Sequence, residues 1–160
     1  MTDGEARIVS ETIFGAEDLA ASLPQALRPF LAVDSLPLPA SIFNDVSQAF
    51  WAAARALAPV VRLRRRAYIC FTTAPFRLNL ANGELRYTPN PDVVHVSVEE
   101  FIFIDVNKLL GYAYPLRVAS ILEELVHVFM NISDETLVSI VVAQLYPDVQ
   151  FVDGGYVVTP

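Results

Sequence analysis

The hydrophobic and polar positions follow two different periods along the chain, and the switches between these periods predict the fold. Apolar residues recur at helical spacing over 42–58, 115–131 and 134–146, which predicts three main helices. Between the first two helices, residues 67–106 alternate or form short apolar runs, which predicts four or five strands. The sequence thus predicts an α+β domain in which a small mixed or antiparallel sheet packs on helices.

A hairpin over 76–88 is the clearest short-range prediction. Apolar and polar residues alternate on both sides of Asn82-Gly83, and both of these residues accept the positive φ angles of a type I′ turn. Further strands are predicted at 67–73, 93–98 and 101–106. The last of these is apolar at nearly every position, which is typical of a central strand covered on both faces.

The two ends of the chain have weaker patterns. We interpret residues 1–40 as a mostly irregular arm, with one short strand near 7–13 and one helical turn near 17–23. Residues 41–160 are predicted to form a single domain that ends in a short hairpin or two edge segments around Asp153-Gly154-Gly155. The predicted helix N-caps are Ser41 or Asn44 for the first helix and Ser133 for the last.

The helix over 115–131 is apolar around more than half of its circumference, so we expect it to be largely buried. Its polar residues share one narrow stripe, with His127 near the middle. The members of this polar stripe are Ser120, Glu123, Glu124, His127 and Asn131. A polar stripe on such a helix either lines a cleft or is a solvated face, and the pattern favours neither.

The other histidine, His95, lies mid-strand between valines, where a packed, hydrogen-bonded side chain is the default. It becomes a candidate site residue only if its strand borders the polar stripe. The one cysteine, Cys70, lies in an apolar strand and is expected to be a buried, inert thiol. A single cysteine also excludes an internal disulfide and suits a reducing cytoplasm.

Composition narrows the class of protein. The chain is 54% hydrophobic and 18% charged, so it has enough apolar residues to form a substantial core. Surplus apolar surface is expected in that core, in a pocket or in a subunit interface. No stretch approaches the about 18 uninterrupted apolar residues of a membrane-spanning helix. Residues 1–15 lack the apolar segment of a secretory signal, so we expect a cytoplasmic protein without a membrane partner. The net charge of −7 disfavours nucleic acid as a partner.

Four arginines fall within residues 62–66, against this acidic background. Such a run can bind phosphate or an acidic partner. Cations are also favourable at a helix C-terminus, and a helix is predicted to end just before this run. We therefore interpret the run as a solvated helix end.

The polar stripe contains the segment Glu123-Glu124-Leu125-Val126-His127. Glu123 and His127 are one helical turn apart and can bind one metal ion, while Glu124 can reach a metal-bound water as general base. The segment resembles the His-Glu-x-x-His helix of the zincin-like metallopeptidases, with Glu123 in place of the first histidine. The order of elements over roughly 42–146, a helix, a sheet with a hairpin and then the motif helix, is similar to that family too.

The resemblance implies a metal-dependent hydrolase of peptide or amide bonds, or a derived relative with an altered metal site. The implied roles are metal ligands at Glu123 and His127, a third ligand at Asp134 or Glu135, a general base at Glu124 and an oxyanion donor at Tyr112 or Tyr114. A Glu-His pair is rich in oxygen, so iron or manganese would suit it besides zinc. In this family the helix before the sheet backs the active-site helix, and an edge strand borders the substrate cleft.

One branch of the family has a longer motif, from which this chain departs at two positions. That motif has glycine where this chain has Met130 and histidine where it has Ser133. The alternative is a non-catalytic binding, accessory or immunity-type protein on a zincin-like scaffold that has lost its metal and uses no cofactor. Both hypotheses predict a peptide or protein partner, and a homodimer is a further option. A purely structural interpretation also stays open, in which the glutamates are solvated, His127 bonds to Asn131, and Asp134 and Glu135 serve the helix dipole.

Overall fold

The computed structural model describes residues 12–62, 64–80, 83–88, 94–98 and 100–160, and the side chains of these except at 76–80, 83, 85 and 96–98. In chain order the elements are β1 Ile13–Phe14, α1 Ala16–Ser22, β2 Leu31–Ser35, β3 Leu38–Pro39, α2 Ala40–Leu57, β4 Ala67–Thr72, β5 Phe76–Leu80, β6 Gly83–Tyr87, β7 His95–Val98, β8 Phe101–Asp105, α3 Val106–Leu110, α4 Tyr114–Met130, α5 Glu135–Leu145, β9 Val149–Val152 and β10 Gly155–Val158. A short 3-10 turn, Arg28–Phe30, precedes β2.

The main sheet is mixed, as predicted, and has the strand order β2-β4-β8-β7. Strands β2, β4 and β8 are parallel, so that Ile69 lies opposite Val33 on one side and Ile102 on the other. Strand β7 is antiparallel to β8 and forms the edge, with His95 opposite Ile104. Strands β5 and β6 form the predicted antiparallel hairpin, and the turn residue Asn82 lies outside the described residues.

Helices α2 and α4 pack against each other and against one face of the sheet. The apolar side predicted for α4 is buried, including Leu122 and Leu125, so the expectation of a largely buried helix is confirmed. Phe50 of α2 meets Phe71 of β4 edge to face, with ring centroids 5.3 Å apart. The single core therefore holds α4 in a fixed position relative to the strands.

The irregular arm predicted for residues 1–40 is wrong for the part that the structure describes. Helix α1 forms where a helical turn was expected, and β2 is a strand of the main sheet. Residues of β2 include Asp34 and Ser35, and prolines flank the strand on both sides. Its local pattern is weak because parallel pairing with β4, a long-range contact, stabilises it.

Several predicted boundaries also differ from the structure. Helix α2 begins at Ala40 without a side-chain cap, so neither Ser41 nor Asn44 caps it. Asp134, rather than Ser133, caps α5, because its Oδ1 accepts a hydrogen bond from the N–H of Leu137 at 2.7 Å. The short helix α3 was not predicted.

The terminal segments β9 and β10 form a hairpin, one of the two predicted options. Asp153 and Gly154 in its turn have φ angles of 50° and 84°, as a tight turn between antiparallel strands requires. In the described part of the chain no single helix is long and apolar enough to cross a membrane. Helices α4 and α5 pass this test only as a pair, and they meet at a bend of 113°.

The buried side of α4 provides a test of the core. Leu122 is fully buried, whereas Leu137 on α5 is 47% exposed. We expect Leu122→Ala to lower the free energy of unfolding by about 2–5 kcal/mol through lost burial and a residual cavity. The control Leu137→Ala should change it by no more than about 0.5 kcal/mol. Chemical denaturation followed by circular dichroism measures both, and equal effects would contradict this packing.

Candidate functional site

Two residues of the polar stripe of α4, Ser120 and Glu123, line a cavity of about 460 Å³ that we call the acidic cleft. Its walls come from β7, α4, α5 and the β9–β10 hairpin, and they include His95, Ser120, Glu123, Ser139 and Tyr156. Tyr112 and Phe151 add aromatic surface. Of the two interpretations of the stripe, the structure therefore favours the cleft over a solvated face.

His95 is the centre of this cleft. Its Nδ1 lies 2.5 Å from Oε1 of Glu124, and its Nε2 lies 3.6 Å from Oε2 of Glu123. His95 stands opposite the buried Ile104 in the β7–β8 ladder, so its side chain points to the face that carries the helices. The strand of His95 does border the polar stripe, which was the condition for treating this histidine as a site residue.

Burial and charge act against each other at these three side chains. Burial, the largest influence, opposes protonation of His95, but the hydrogen bond to Glu124 and the charges of Glu124, Glu123 and Glu135 together raise its pKa above the ordinary value. Burial raises the pKa of Glu123, and His95 and Ser139 only partly offset this. The cleft thus holds one imidazole against two glutamate side chains.

Two further residues of the cleft were missed by the sequence reasoning. Ser139 donates its hydroxyl hydrogen to Oε1 of Glu123 at 3.2 Å. The Tyr156 hydroxyl is buried beside Ser139 and Glu123, yet it forms no hydrogen bond of standard geometry to any described residue. Burial raises the pKa of Tyr156, so its hydroxyl stays protonated at neutral pH and can donate to or accept from a bound group.

His127 lies one turn further along α4 and has different partners. Its Nδ1 lies 2.7 Å from the carbonyl oxygen of Ile132, and its Nε2 lies 3.2 Å from Oε2 of Glu135. The expected bond to Asn131 is not formed. Asn131 instead ends the helix in the left-handed conformation, with φ of 55°, and its Oδ1 accepts a hydrogen bond from Arg65.

The residues predicted to bind a metal do not converge on one point. Glu135 lies beside His127, but the carboxylate of Glu123 is directed to His95 and Ser139, and Asp134 caps α5. Among the described residues no three histidine, cysteine, aspartate or glutamate side chains are grouped to hold a metal ion. The predicted donor set therefore does not fit a metal ion in this arrangement.

The predicted catalytic residues are likewise placed apart. Glu124, the expected general base, is 4% exposed and bonded to His95. The hydroxyl of Tyr114 lies 3.4 Å from the carbonyl oxygen of Gln48 on α2, whereas Tyr112 lines the acidic cleft.

Burial raises the pKa of Cys70 to about 12, with the charge of Asp34 acting in the same direction, which agrees with an inert thiol.

Comparisons with known protein families, curated proteins and solved structures give no match to this chain. The interpretation of the cleft therefore rests on its residues. They combine the half-buried carboxylate of Glu123, an imidazole with a raised pKa, a buried tyrosine hydroxyl and aromatic walls. Such groups can bind and orient a charged ligand through ionic contacts and hydrogen bonds.

The pairing of His95 with Glu124 predicts a dependence of stability on pH. Because the folded-state pKa of His95 is raised above about 6.5, its contribution is fully present below that pH and is lost as the pH rises through the folded-state value. Glu124→Gln should lower the titration midpoint of His95, as measured by NMR of the imidazole nitrogens. Glu17→Gln, on the exposed side of α1, is the control of equal charge change. An unchanged midpoint in Glu124→Gln would contradict the pairing.

Proposed function

We propose that this chain is a non-catalytic binding module on a zincin-like scaffold, and that it binds an extended, basic segment of a partner protein. The observation that carries the proposal is the contact of His95 with Glu124 and Glu123. The carboxylates that hydrolysis would need as base and ligand are instead bonded within the protein. They shape an acidic cleft, and the glutamate expected as general base, Glu124, is bonded to His95.

Two features of the fold support the scaffold in this proposal. Helix α2 packs along α4, as the helix before the sheet does in the zincin-like family. The antiparallel edge strand β7 runs beside the polar stripe of α4, where that family has its substrate cleft. These two contacts support the zincin-like scaffold of the proposal, although the predicted metal ligands do not converge.

Strand β7 supports an extended partner. It pairs with β8 on one side, and no strand pairs with its other side in the described part of the chain. An unpaired strand edge presents N–H and C=O groups that an added strand can use. A partner segment in this position would pass His95 and the mouth of the acidic cleft.

The charge of the cleft supports a basic side chain as the anchor. Glu123 and Glu124 face the single imidazole of His95, and the exposed Glu135 adds a further carboxyl group nearby. The aromatic rings of Tyr112 and Phe151 suit the apolar stem and the cationic head of lysine or arginine. The net charge of −7 would also speed the approach of a basic segment.

A random peptide library displayed on phage tests the proposal. We expect selection against the wild-type protein to enrich extended sequences that contain lysine or arginine. An enriched peptide should bind Glu123→Gln about tenfold more weakly or worse, since a charge-assisted contact is lost. Glu17→Gln, with the same change in net charge, should bind as the wild type does. Selection without enrichment of basic residues, or equal binding to Glu123→Gln, would overturn the proposal.

The metal-dependent hydrolase is a second candidate, and the His127–Glu135 contact is the observation in its favour. Nδ1 of His127 is held by the carbonyl of Ile132, which leaves Nε2 directed at Glu135 on the next helix. A carboxylate in that place is what the resemblance implies for a third ligand. Among the residues that the structure describes, no third metal donor lies beside this pair, and Glu123 is engaged by His95 and Ser139.

Elemental analysis separates the two candidates. Protein purified without a metal-chelating tag and then loaded with zinc, iron or manganese should retain no stoichiometric metal if it is a binding module. A hydrolase would retain it, His127→Ala would lose it, and Glu124→Gln would keep the metal but lose turnover of a peptide substrate. That second set of results would replace the binding module with the hydrolase.

A further inference from the structure

A second cavity of about 650 Å³, which we call the basic pocket, adjoins the polar stripe of α4 and is not used by the proposed function. It lies where the start of β4 meets the C-terminal end of α4. The polar and aromatic residues that line it are Arg65, Arg66, Tyr68, Glu100, His127 and Asn131. Part of the arginine run thus lies at a cavity wall, and the interpretation of the run as a helix end is wrong, because α2 ends at Leu57, five residues before the run begins at Arg62.

The two arginines of this pocket are held in place by neutral groups. Nη1 of Arg65 donates to Oδ1 of Asn131 at 3.2 Å, and the guanidinium carbon of Arg66 lies 5.6 Å from the ring centroid of Tyr68. In the described part of the chain neither arginine forms an ion pair. Glu100 lines the same cavity without pairing with them, so the pocket keeps an excess of positive charge.

The acidic cleft and the basic pocket lie on successive turns of the same helix. Glu123 lines the first and Asn131 lines the second. Their separation of eight residues corresponds to about 12 Å along the helix axis. An extended chain covers about 12 Å in roughly four residues. The edge strand follows the same path, because His95 borders the acidic cleft and Glu100, just past β7, borders the basic pocket.

We propose that the basic pocket binds a carboxylate of the same extended segment whose basic side chain enters the acidic cleft, with the two charged residues roughly four positions apart. This inference rests on the proposed function and specifies the partner: a segment with lysine or arginine at one end and aspartate or glutamate at the other. Two guanidinium groups suit a carboxylate because their paired N–H groups match its two oxygens.

Short synthetic peptides test the spacing. The probes are acetyl-Lys-Val-Thr-Val-Glu-amide and its reverse, acetyl-Glu-Val-Thr-Val-Lys-amide, because the direction of the bound segment is itself a result. In each, glutamine replaces glutamate in one analogue and norleucine replaces lysine in another. We expect one of the two directions to bind about fivefold more tightly with glutamate than with glutamine. Titrations followed by NMR of the labelled protein give the affinities and the residues affected.

Variants within the arginine run provide a matched control. The double variant Arg65→Gln with Arg66→Gln should abolish the preference for glutamate. Arg62→Gln with Arg64→Gln removes the same charge from the same run but outside the pocket, and should preserve the preference. Equal loss in both double variants would show a general charge effect and overturn the inference.

The outcomes distinguish this inference from the proposed function. If the lysine peptides bind more tightly than their norleucine analogues but glutamate gives no gain, the inference is wrong and the proposed function stands. If lysine gives no gain either, the proposed function is wrong. Inorganic phosphate that shifts the resonances of Arg65 and Arg66, where the peptide carboxylate does not, would assign the pocket to phosphate instead. A preference for the free C-terminal acid over glutamate would assign it to a chain terminus.

Discussion

The contact of His95 with Glu124 and Glu123 joins the edge strand of the sheet to the helix that crosses beside it. Carboxylates on a helix as apolar as α4 are expensive to bury unless a charged or hydrogen-bonding partner compensates them. The imidazole of His95 supplies this partner from another element. The position of β7, the depth of the cleft and the charge that remains in it all depend on this compensation.

The parts of the fold that were predicted correctly are those in which the local sequence pattern is set by helix burial or by strand alternation. The one-sided apolarity of α4 and the alternation around the β5–β6 hairpin are such patterns. Strand β2 was missed because it is stabilised by parallel pairing with β4. The sequence of a five-residue strand carries little information about such a long-range pairing. A one-sequence pattern also cannot state which strand lies beside which helix. His95, the partner of Glu124, lies 29 residues before it in the chain. The sequence therefore identified His95 only as a conditional site residue.

The motif was predicted as one unit, yet the structure divides it between two neighbourhoods. Glu123 and Glu124 turn to β7, while His127 turns to the chain that follows the helix. The orientation of His127 has a local cause. Asn131 adopts the left-handed conformation, so the chain reverses and brings the carbonyl of Ile132 against the imidazole. Spacing along a helix predicts which face of the helix a side chain lies on. The partners of that side chain depend on the path of the chain after the helix and on the neighbouring elements.

An unpaired strand edge offers the same hydrogen bonds to any extended chain, so backbone pairing alone gives affinity without discrimination. The surroundings of the polar stripe beside β7 change this, because the groups near its two ends differ in charge. Carboxyl groups of Glu123 and Glu124 lie near one end, and the guanidinium groups of Arg65 and Arg66 lie near Asn131 at the other. A segment with like charges at both ends would meet repulsion at one of them, and a segment placed in the reverse direction would meet it at both. In the proposed complex, charges near the two ends of α4, carried by that helix and by the segment before β4, would therefore select both the sequence and the direction of a chain that the strand edge itself cannot tell apart.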